Sequence, residues 1–343
     1  MTTDSTTVGL TAPMMIIVRG SLLVAAVLLL RGGGTLAQRP NHGHGTPPSL
    51  PPGCLPKDDQ QDLFCPGDYD YGCFKIPSLL RVPNSTRVLA FIEARKYSCD
   101  DEGYVDLLLK TSDDLGETWS RPSLVHSDST GGPDDPGEWH TIGDALPILD
   151  EHTGVVHLVF TRDNTDVLYT RSSRVAQLGH HVVTEDWATI RNISSSAVRD
   201  RSKKNFVGTG HAAGVFLPYP RGIGTLLVPC YGGGSNSFVL ASEDRGESWH
   251  IRSELDAPPN EWVMTFVDPS TPNRLFASLR SSPHRLQAWS EDGGKSWTPT
   301  KPAPELPEPI SGCEGSVLLH PNGKLYCEAV LLIDRLTIDG WHA

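Results

Sequence analysis

The sequence Ser112-Asp113-Asp114-Leu115-Gly116-Glu117-Thr118-Trp119 decides the fold, because its pattern Ser-x-Asp-x-Gly-x-x-Trp occurs three times. The other copies are residues 242–249 and 290–297, and strand-like runs precede the three copies at 104–111, 237–241 and 285–289. In each copy the Asp can accept turn N–H bonds, the Gly supplies a positive φ, and the Trp can bury its ring between sheets. A pattern fixed at four positions marks an internal repeat. Repeated units of this kind predict an all-β chain and a β-propeller.

The composition agrees with this fold class. The chain has 343 residues, a net charge of −12, 33 Gly and 28 Pro, which suits many short strands joined by turns. The acidic balance argues against a nucleic-acid partner and fits a soluble enzyme or a secreted protein.

The first 37 residues have the pattern of a signal peptide. Arg19 precedes the apolar run 21–30, and small residues ending in Thr35-Leu36-Ala37 place the cut before Gln38. The alternative is an uncleaved signal anchor over residues 14–30, but this span is short and Arg19-Gly20 interrupts it. The sequence therefore predicts the secretory pathway, with a lysosomal, extracellular or membrane-associated destination.

The cysteines and sequons acquire meaning in that pathway. The odd number of cysteines leaves one unpaired and the pairing open, the seven being Cys54, Cys65, Cys73, Cys99, Cys230, Cys313 and Cys327. Asn84-Ser85-Thr86 and Asn192-Ile193-Ser194 are glycosylation sequons. No Cys or His spacing suits zinc, so we expect neither a metal nor a cofactor.

The repeat spacing predicts the blades. Residues 38–70 are rich in Pro, Gly, His and Asp and are interpreted as a linker, and residues 71–343 as the propeller domain. Apolar runs that predict strands occupy 88–92, 105–109, 155–160, 167–170, 225–229, 238–241, 274–279, 315–319 and 324–333. The second and third copies begin 48 residues apart, and a worn unit at 169–187 fits the longer gap before them. About four to five blades can be counted, which predicts an incomplete propeller.

Three motifs near the first repeat resemble a known family. They are Phe74-Lys75-Ile76-Pro77, ahead of the first blade, then Ala90-Phe91-Ile92-Glu93-Ala94-Arg95, and then the loop Cys99-Asp100-Asp101-Glu102. Together they resemble the sialidases (neuraminidases), which carry Phe-Arg-Ile-Pro, an Ala-Phe-Ala-Glu-x-Arg strand and a loop Asp in this order. The chain is most similar to the animal lysosomal and cytosolic branch. The resemblance covers about residues 72–340 and implies a six-bladed propeller with exo-α-sialidase activity.

The resemblance also implies roles for single residues. Three cations would grip the substrate carboxylate: Lys75, where the family has Arg, with Arg280 and Arg335. Lys75 keeps the charge but loses the bidentate fork of an arginine. Glu93 and Arg95 would lie on the strand that enters the site. Asp100 would be the acid/base carboxylate, with Asp101 and Glu102 as adjacent alternatives.

The family's nucleophile is a tyrosine, and a glutamate draws off its proton. Glu261 matches this glutamate, and Tyr231 matches a tyrosine that lines the glycerol and N-acyl pocket. Gly208-Thr209-Gly210-His211 resembles a loop that feeds a blade, and Glu314 precedes a further strand. The nucleophile itself has no counterpart, because no tyrosine follows Tyr326.

These observations predict an exo-α-sialidase that removes terminal sialic acids from glycoproteins, gangliosides and oligosaccharides with retention of configuration. One alternative is a propeller that binds sialylated glycans without turning them over, which the substitution at Lys75 and the missing tyrosine motivate. Another is a propeller from a different branch that shares only the turn repeat. The Phe-x-Ile-Pro and Glu-x-Arg matches argue against that branch.

Overall fold

The computed structural model describes most of the chain after residue 60. The described ranges are 14–19, 22–24, 60–134, 137–172, 186–199, 206–218, 224–234, 236–268, 270–320 and 322–329. Within them the chain is nearly all β, with one short α-helix at Ser194–Ala197 and one 3-10 helix at Asp68–Asp70. No helix in these ranges has both the length and the apolar character needed to cross a bilayer.

Four antiparallel sheets follow one another along the chain, and we call them the first to fourth blades. The first contains β4 (Cys73–Arg81), β5 (Val88–Arg95), β6 (Val105–Ser112) and β7 (Ser123–His126). The second contains β8 (Ile142–Asp150), β9 (Val155–Arg162), β10 (Asp166–Arg171) and β11 (Arg191–Asn192). The third contains β12 (Val207–Thr209), β13 (Val215–Leu217), β14 (Thr225–Gly232), β15 (Phe238–Ser242) and β16 (His250–Glu254). The fourth contains β17 (Trp262–Phe266), β18 (Leu275–Leu279), β19 (His284–Ser290) and β20 (Lys301–Pro307).

Two smaller sheets complete the described architecture. The hairpin of β21 (Gly315–Leu319) and β22 (Leu325–Ala329) follows the fourth blade. Near the start of the chain, β1 (Met14–Arg19) pairs with β2 (Leu22–Val24) and β3 (Gln60–Phe64).

The hydrophobic core lies between consecutive blades. Phe91 and Leu107 of the first blade pack with Ile142 and Phe160 of the second. Two further clusters join the second blade to the third and the third to the fourth. Because the first blade packs against the second blade on one face and against Phe64 and Tyr71 on the other, β5 is buried along its whole length.

The three Ser-x-Asp-x-Gly-x-x-Trp copies form the turns predicted from the sequence. In the first, Asp114 Oδ1 accepts bonds from Ser112 Oγ at 2.7 Å and from the Thr118 amide at 2.8 Å. Gly116 has a φ of 95° and donates its amide to Ser112 Oγ. The same bonds recur around Asp244 and Asp292. Hydrogen bonds from Thr118 lower the pKa of Asp114 to about 2. This carboxylate is therefore ionised and stabilises the turn in which it lies.

The blades predicted from the turn repeats are present as antiparallel sheets, with one correction to the placement of the first strand. The motif Phe74-Lys75-Ile76-Pro77 does not precede the first blade, because Cys73–Arg81 is the first strand of that blade. Residues 173–185 of the worn unit at 169–187 lie outside the described residues. Tyr169 lies in β10, the third strand of the second blade, and Trp187 packs against Phe91 of the first blade.

The region interpreted as a linker also contains packed structure where it is described. Leu63 and Phe64 of β3 are buried against the first blade, and Lys110 donates its ammonium to the Leu63 carbonyl. Most of the predicted signal peptide, residues 1–37, lies outside the described residues, so cleavage stays a prediction.

A disulfide links Cys73 of β4 to Cys99 in the loop after β5. Among the described cysteines, Cys230, Cys313 and Cys327 are free thiols. Cys230 is fully buried in the third blade, and burial raises the pKa of its thiol.

A buried ion pair ties the fourth blade to the segment before β21. Arg285 is fully buried, and its Nη1 lies 2.6 Å from Glu308 Oε1. The guanidinium also donates to Ser278 Oγ at 2.7 Å and to the Cys313 carbonyl at 3.0 Å. Each charged group is therefore compensated inside the protein, as a buried ion pair requires.

Candidate functional site

Polar side chains from several blades meet at one end of the propeller. Asp144 lies near the start of the second blade's first strand, and Glu261 and Glu314 directly precede β17 and β21. Arg95 and Arg280 lie at the ends of the antiparallel second strands of their blades. Since a first strand begins where its antiparallel partner ends, these positions share one edge of the propeller.

Local irregularities in the first strands aim these side chains. The pairing of β4 with β5 shifts between Lys75 and Ser78, and Ile76 has a φ of 53°. The pairing of β8 with β9 shifts between Gly143 and Leu146, and Asp144 also has a φ of 53°. Such bulges re-aim side chains next to functional sites.

The first strand of the third blade is interrupted instead of bulged. Strands β12 and β13 both pair with β14, and the chain leaves the sheet between them. His211 lies in this interruption with only 2% of its side chain exposed. The Gly208-Thr209-Gly210-His211 stretch therefore delivers a buried imidazole to the end of the propeller.

Glu261 lies between two cations. Its Oε1 is 3.4 Å from His211 Nε2, and its Oε2 is 2.7 Å from Arg280 Nη1. Burial alone raises the pKa of Glu261, but the ion pair with His211 and the charge of Arg280 outweigh burial and lower it to about 2. Glu261 is therefore ionised at every physiological pH.

His211 faces three carboxylates. Its Nδ1 lies 3.9 Å from Asp144 Oδ1 and 4.0 Å from Glu314 Oε1, while Nε2 faces Glu261. Burial lowers the pKa of His211, but the surrounding negative charges outweigh burial and raise it to about 10. The imidazole is thus a buried cation at neutral pH. Within the described residues neither ring nitrogen has a hydrogen-bond partner.

Unlike Glu261, Asp144 and Glu314 have raised pKa values. Burial raises the pKa of Asp144 to about 7, with His211 opposing and Glu93 adding to the effect. Thr161 and Asn164 hold its Oδ2 at 3.3 Å and 3.2 Å. Burial also raises the pKa of Glu314. The site therefore combines the ionised Glu261 with Asp144, a carboxyl that can hold a proton near neutral pH.

Glu93 and Arg95 form a second buried pair beside this cluster. Arg95 Nη2 lies 2.6 Å from Glu93 Oε2, and both side chains are almost fully buried. Glu93 Oε1 accepts the Asp144 amide at 3.0 Å, which links the pair to the second blade. Gly143 provides the space, because a Cβ there would lie 2.3 Å from Glu93 Oε1.

The guanidinium of Arg95 holds the loop after β5 in place. Arg95 Nη1 donates to the Cys99 and Asp100 carbonyls and to Asp101 Oδ1 at 2.7 Å. Asp101 also lies 3.5 Å from Lys75 Nζ. Burial raises the pKa of Asp101, but Arg95 and then Lys75 outweigh burial and lower it. The Asp100 side chain is exposed next to this network.

Tyr231 closes the cluster from the third blade. It is 8% exposed, and a Cβ on Gly208 would lie 2.5 Å from its hydroxyl, so the glycine leaves room for the phenol. Burial, followed by the charges of Asp144 and Glu261, raises the pKa of Tyr231. Its hydroxyl is therefore neutral and can donate a hydrogen bond.

The structure brings most of the predicted site residues together. Glu93, Arg95, Tyr231, Glu261 and Arg280 surround the cluster, while Lys75 joins it through Asp101. Arg335 lies outside the described residues, so its role stays a prediction.

Two residues of the cluster had no role in the sequence interpretation. His211 stood in a quoted loop, but a histidine between glycines gives no sign that three carboxylates will surround it. Asp144 lies in an apolar strand with no motif of its own. The sequence did offer one signal for Asp144, a charged residue inside an apolar run. A carboxyl that is buried in such a run requires polar or charged partners.

The family model described as a BNR repeat-like domain matches residues 86–327, well over half of the chain. The chain belongs to this BNR repeat-like domain family. The match begins after β4 and therefore includes all the other strands of the four blades. It also includes the site residues Asp144, Tyr231, Glu261 and Arg280.

The individual relatives are sialidases. Sialidase-2 of Cricetulus griseus is 23% identical over 294 residues, covering 79% of this chain and 74% of the relative. Sialidase-4 of Homo sapiens is 28% identical over 285 residues, covering 72% and 54%. Among solved structures, the Hadza microbial sialidase Hz136 shares the fold with a TM-score of 0.59 and 20% identity, covering 77% of this chain and 54% of that one. The predicted resemblance to sialidases, including animal ones, is confirmed. The chain spans about half the length of the human relative.

Proposed function

We propose that the protein is an exo-α-sialidase that removes terminal sialic acids from glycoproteins, gangliosides and oligosaccharides. The observation that carries this proposal is the setting of Arg280. Glu261 fixes its Nη1 at 2.7 Å and the Ser311 carbonyl fixes its Nε at 3.2 Å, while 27% of the side chain stays exposed. An oriented, accessible guanidinium is suited to bind a carboxylate, and sialic acid carries one at its reacting carbon.

Lys75 supports the same substrate class. Its side chain is 33% exposed and is positioned by Asp101, so a second cation at the site is accessible to a ligand. Cations set in place before the ligand arrives reduce the reorganisation that binding requires. Glycosidases that act on neutral sugars commonly rely on a carboxylate pair instead. The named activity of the sialidase relatives agrees with an anionic substrate.

For proton transfer, the geometry favours Asp100 over its neighbour. Asp101 is bound to Arg95 and Lys75 and its pKa is lowered, which makes it a weak proton donor. Asp100 is the adjacent exposed carboxyl, and only its backbone carbonyl is bound by Arg95. In this proposal Asp100 protonates the leaving oxygen while a nucleophile on the opposite face of the sugar forms a covalent glycosyl intermediate. Asp100 then takes a proton from the water that releases the sugar from this nucleophile, and the two successive inversions retain the configuration.

Turnover of a fluorogenic α-sialoside by the full chain tests this proposal. We expect measurable release of the fluorophore and a loss of at least about 100-fold in Asp100→Asn, because general acid catalysis contributes that much. Asp113→Asn is the matched control, since Asp113 is an exposed aspartate paired with Arg87 in the first turn repeat. Unchanged turnover in Asp100→Asn sinks the assignment.

A second candidate function is glycan binding without turnover. Lys75 stands where the resemblance implies an arginine, and the family's nucleophilic tyrosine has no counterpart in the sequence. Tyr231 is a poor substitute, because burial and the charges of Asp144 and Glu261 raise the pKa of its hydroxyl. Under this alternative the wild-type chain binds sialylated oligosaccharide in a titration but releases no sialic acid from it. Release of sialic acid selects the enzyme.

We also propose that the protein follows the secretory route to the lysosome or the cell exterior. The Cys73–Cys99 disulfide supports this route, because such bonds persist in oxidising compartments. Asn84 of the first sequon is exposed and open to glycosylation. Expression in animal cells should give a form whose mass falls on glycosidase treatment. A cytosolic, unglycosylated product contradicts the route.

A further inference from the structure

The Cys73–Cys99 disulfide joins the two elements that carry Lys75 and Asp100. Cys73 is the first residue of β4 and precedes Lys75 by two positions, while Cys99 directly precedes Asp100 in the loop after β5. The two cysteines are 26 positions apart in sequence, and their Cα atoms lie 5.4 Å apart. One covalent link therefore ties the proposed acid/base carboxylate to a strand that supplies a cation of the site.

Hydrogen bonds attach this loop to β5 and to the second blade. Arg95 Nη1, at the end of β5, donates to the Cys99 carbonyl at 3.0 Å and to the Asp100 carbonyl at 2.6 Å. The Gly103 amide donates at 2.9 Å to the hydroxyl of Thr141, the residue before β8. These bonds position the loop relative to β5 and β8, but they do not connect it to β4.

The attachment of the loop to β4 depends on the disulfide. Lys75 Nζ lies 3.5 Å from Asp101 Oδ1, but the two side chains are 33% and 85% exposed, so solvent weakens this ion pair. The Gly72 amide donates to the Lys96 carbonyl at 3.1 Å, which is a contact at the base of the loop. The pairing of β4 with β5 shifts directly after Lys75, so a bulge separates the end of β4 from the rest of the strand. Without the covalent link, this end of β4 and the tip of the loop are free to separate.

The position of the Asp100 carboxylate depends on the backbone of the loop. The Asp100 amide donates to Ser98 Oγ at 3.2 Å and its carbonyl accepts from Arg95, whereas its side chain is exposed. A general acid must lie within hydrogen-bond distance of the oxygen that it protonates. A displacement of about 1 Å in a site lowers the rate by about 100-fold. A link at Cys99, the adjacent residue, therefore controls whether Asp100 reaches that oxygen.

A dithiol reductant can open this link from the side of the loop. Cys73 is 2% exposed, whereas Cys99 is half-buried, so the sulfur of Cys99 is the more accessible one. Attack by a thiolate of the reductant forms a mixed disulfide at Cys99 and releases Cys73 as a thiolate, which takes up a proton. The second thiol of the reductant then releases Cys99 as a thiol. Two electrons pass from the reductant, which becomes a disulfide, to the cysteine pair.

We propose that the Cys73–Cys99 disulfide is a redox-controlled clamp that holds Asp100 and Lys75 in position for catalysis. The two cysteines are positioning residues, because they act through Asp100 and Lys75. Their effect on catalysis rests on the proposed sialidase function, whereas their effect on the loop does not. The site is competent when the pair is oxidised, and reduction inactivates it while the four blades stay folded.

Hydrogen–deuterium exchange of the full chain, before and after reduction with dithiothreitol, tests the clamp without any turnover. We expect amide exchange at residues 97–103 to accelerate at least about tenfold on reduction, while exchange in β9 and β15 stays unchanged, because the loop opens locally. The double variant Cys73→Ser/Cys99→Ser should show the fast exchange with or without the reductant. Cys65→Ser is the matched control, because Cys65 is also disulfide-bonded, and its loop should exchange slowly until it is reduced.

The dependence of turnover on the leaving group separates positioning of Asp100 from a general loss of structure. A sugar alcohol needs a proton in order to leave, whereas an aryl alcohol leaves with less help from an acid. We therefore expect reduction to lower the turnover of sialyllactose at least about tenfold more than that of an aryl sialoside, and reoxidation to restore it.

The outcomes separate the clamp from the proposed function. Unchanged exchange at residues 97–103 after reduction overturns the clamp even if sialosides are hydrolysed. Exchange that accelerates in β9 and β15 as much as in the loop also overturns it, since the blades then unfold with the loop. An equal loss of turnover for sialyllactose and the aryl sialoside overturns the positioning of Asp100. Faster loop exchange on reduction supports the clamp, and a simultaneous lack of turnover in the oxidised chain then contradicts the sialidase proposal alone.

Discussion

His211 Nε2 lies 3.4 Å from Glu261 Oε1, and this contact makes a buried histidine the counter-ion of the carboxylate that orients Arg280. The two groups shift in opposite directions, with the pKa of His211 raised to about 10 and that of Glu261 lowered to about 2. The ion pair therefore stabilises both charged forms. The pair keeps the buried Glu261 carboxylate ionised and fixed in position beside Arg280.

Replacing the histidine should destabilise the fold in a pH-dependent way. The raised pKa of His211 contributes stability that is complete below its unfolded value of about 6.5 and is lost as the pH rises through about 10. The lowered pKa of Glu261 contributes stability above its unfolded value of about 4.5, lost as the pH falls through about 2. We expect His211→Gln to lower the free energy of unfolding by about 3 kcal/mol between about pH 4.5 and 6.5, measured by urea denaturation.

The control for this measurement is His140→Gln. His140 also lies beside carboxylates, at 2.7 Å from Asp163, but it is in part solvent-exposed. Its replacement should change the free energy of unfolding by less than about 1 kcal/mol. A loss in His211→Gln that stays constant from pH 5 to 10 argues against the ion pair.

The Arg285–Glu308 pair should be important for the stability of the fourth blade. Glu308→Gln leaves the fully buried Arg285 without its counter-charge, which costs about 3–5 kcal/mol in comparable cases. Glu291→Gln removes an exposed partner of Arg274 and should cost less than about 1 kcal/mol. Denaturant midpoints of the two variants provide the comparison. Similar midpoints would show that burial of the first pair is irrelevant.

The space beside Gly143 should be necessary for activity. A methyl group there would overlap Glu93 Oε1, so Gly143→Ala must displace the carboxylate that orients Arg95. We expect sialoside turnover to fall at least about tenfold while the fold is kept, since displacements of about 1 Å in a site have effects of this size. Gly132→Ala has open space around its Cβ and should behave as wild type. Equal activity in both variants contradicts the role of Glu93.

The sequence predicted the turns and the second and third strands of the four blades, because both are local. The repeated Asp and Gly specify the turn chemistry, and strands such as β9 and β15 are continuous apolar runs. The first strands of the blades and short outer strands such as β11 and β16 were missed. The outer strands have few buried residues and depend on their neighbours. The first strand β8 is fully buried, but Gly143, Asp144 and Pro147 interrupt its apolar run.

Only the site residues that belong to a recognisable sequence motif could be predicted. Glu93 and Arg95 alternate on one strand, so their proximity follows from the sequence. For Asp144 the sequence signals only a charged residue in a buried run, because the direction of its side chain depends on a β-bulge and a positive φ that appear when β8 pairs with β9. The preference among Asp100, Asp101 and Glu102 also required coordinates, since it depends on which carboxylate Arg95 binds.

The measurement that tests the central claim most directly is calorimetric titration of the full chain with sialic acid and with its methyl ester. The claim is that Arg280 recognises the sugar carboxylate, so the free acid should bind and the ester should bind at least about tenfold more weakly. Arg280→Ala should abolish this preference, while Arg274→Ala, in the same blade but paired at the surface with Glu291, should retain it. Equal affinity of the wild type for acid and ester, or an unchanged preference in Arg280→Ala, would contradict the claim.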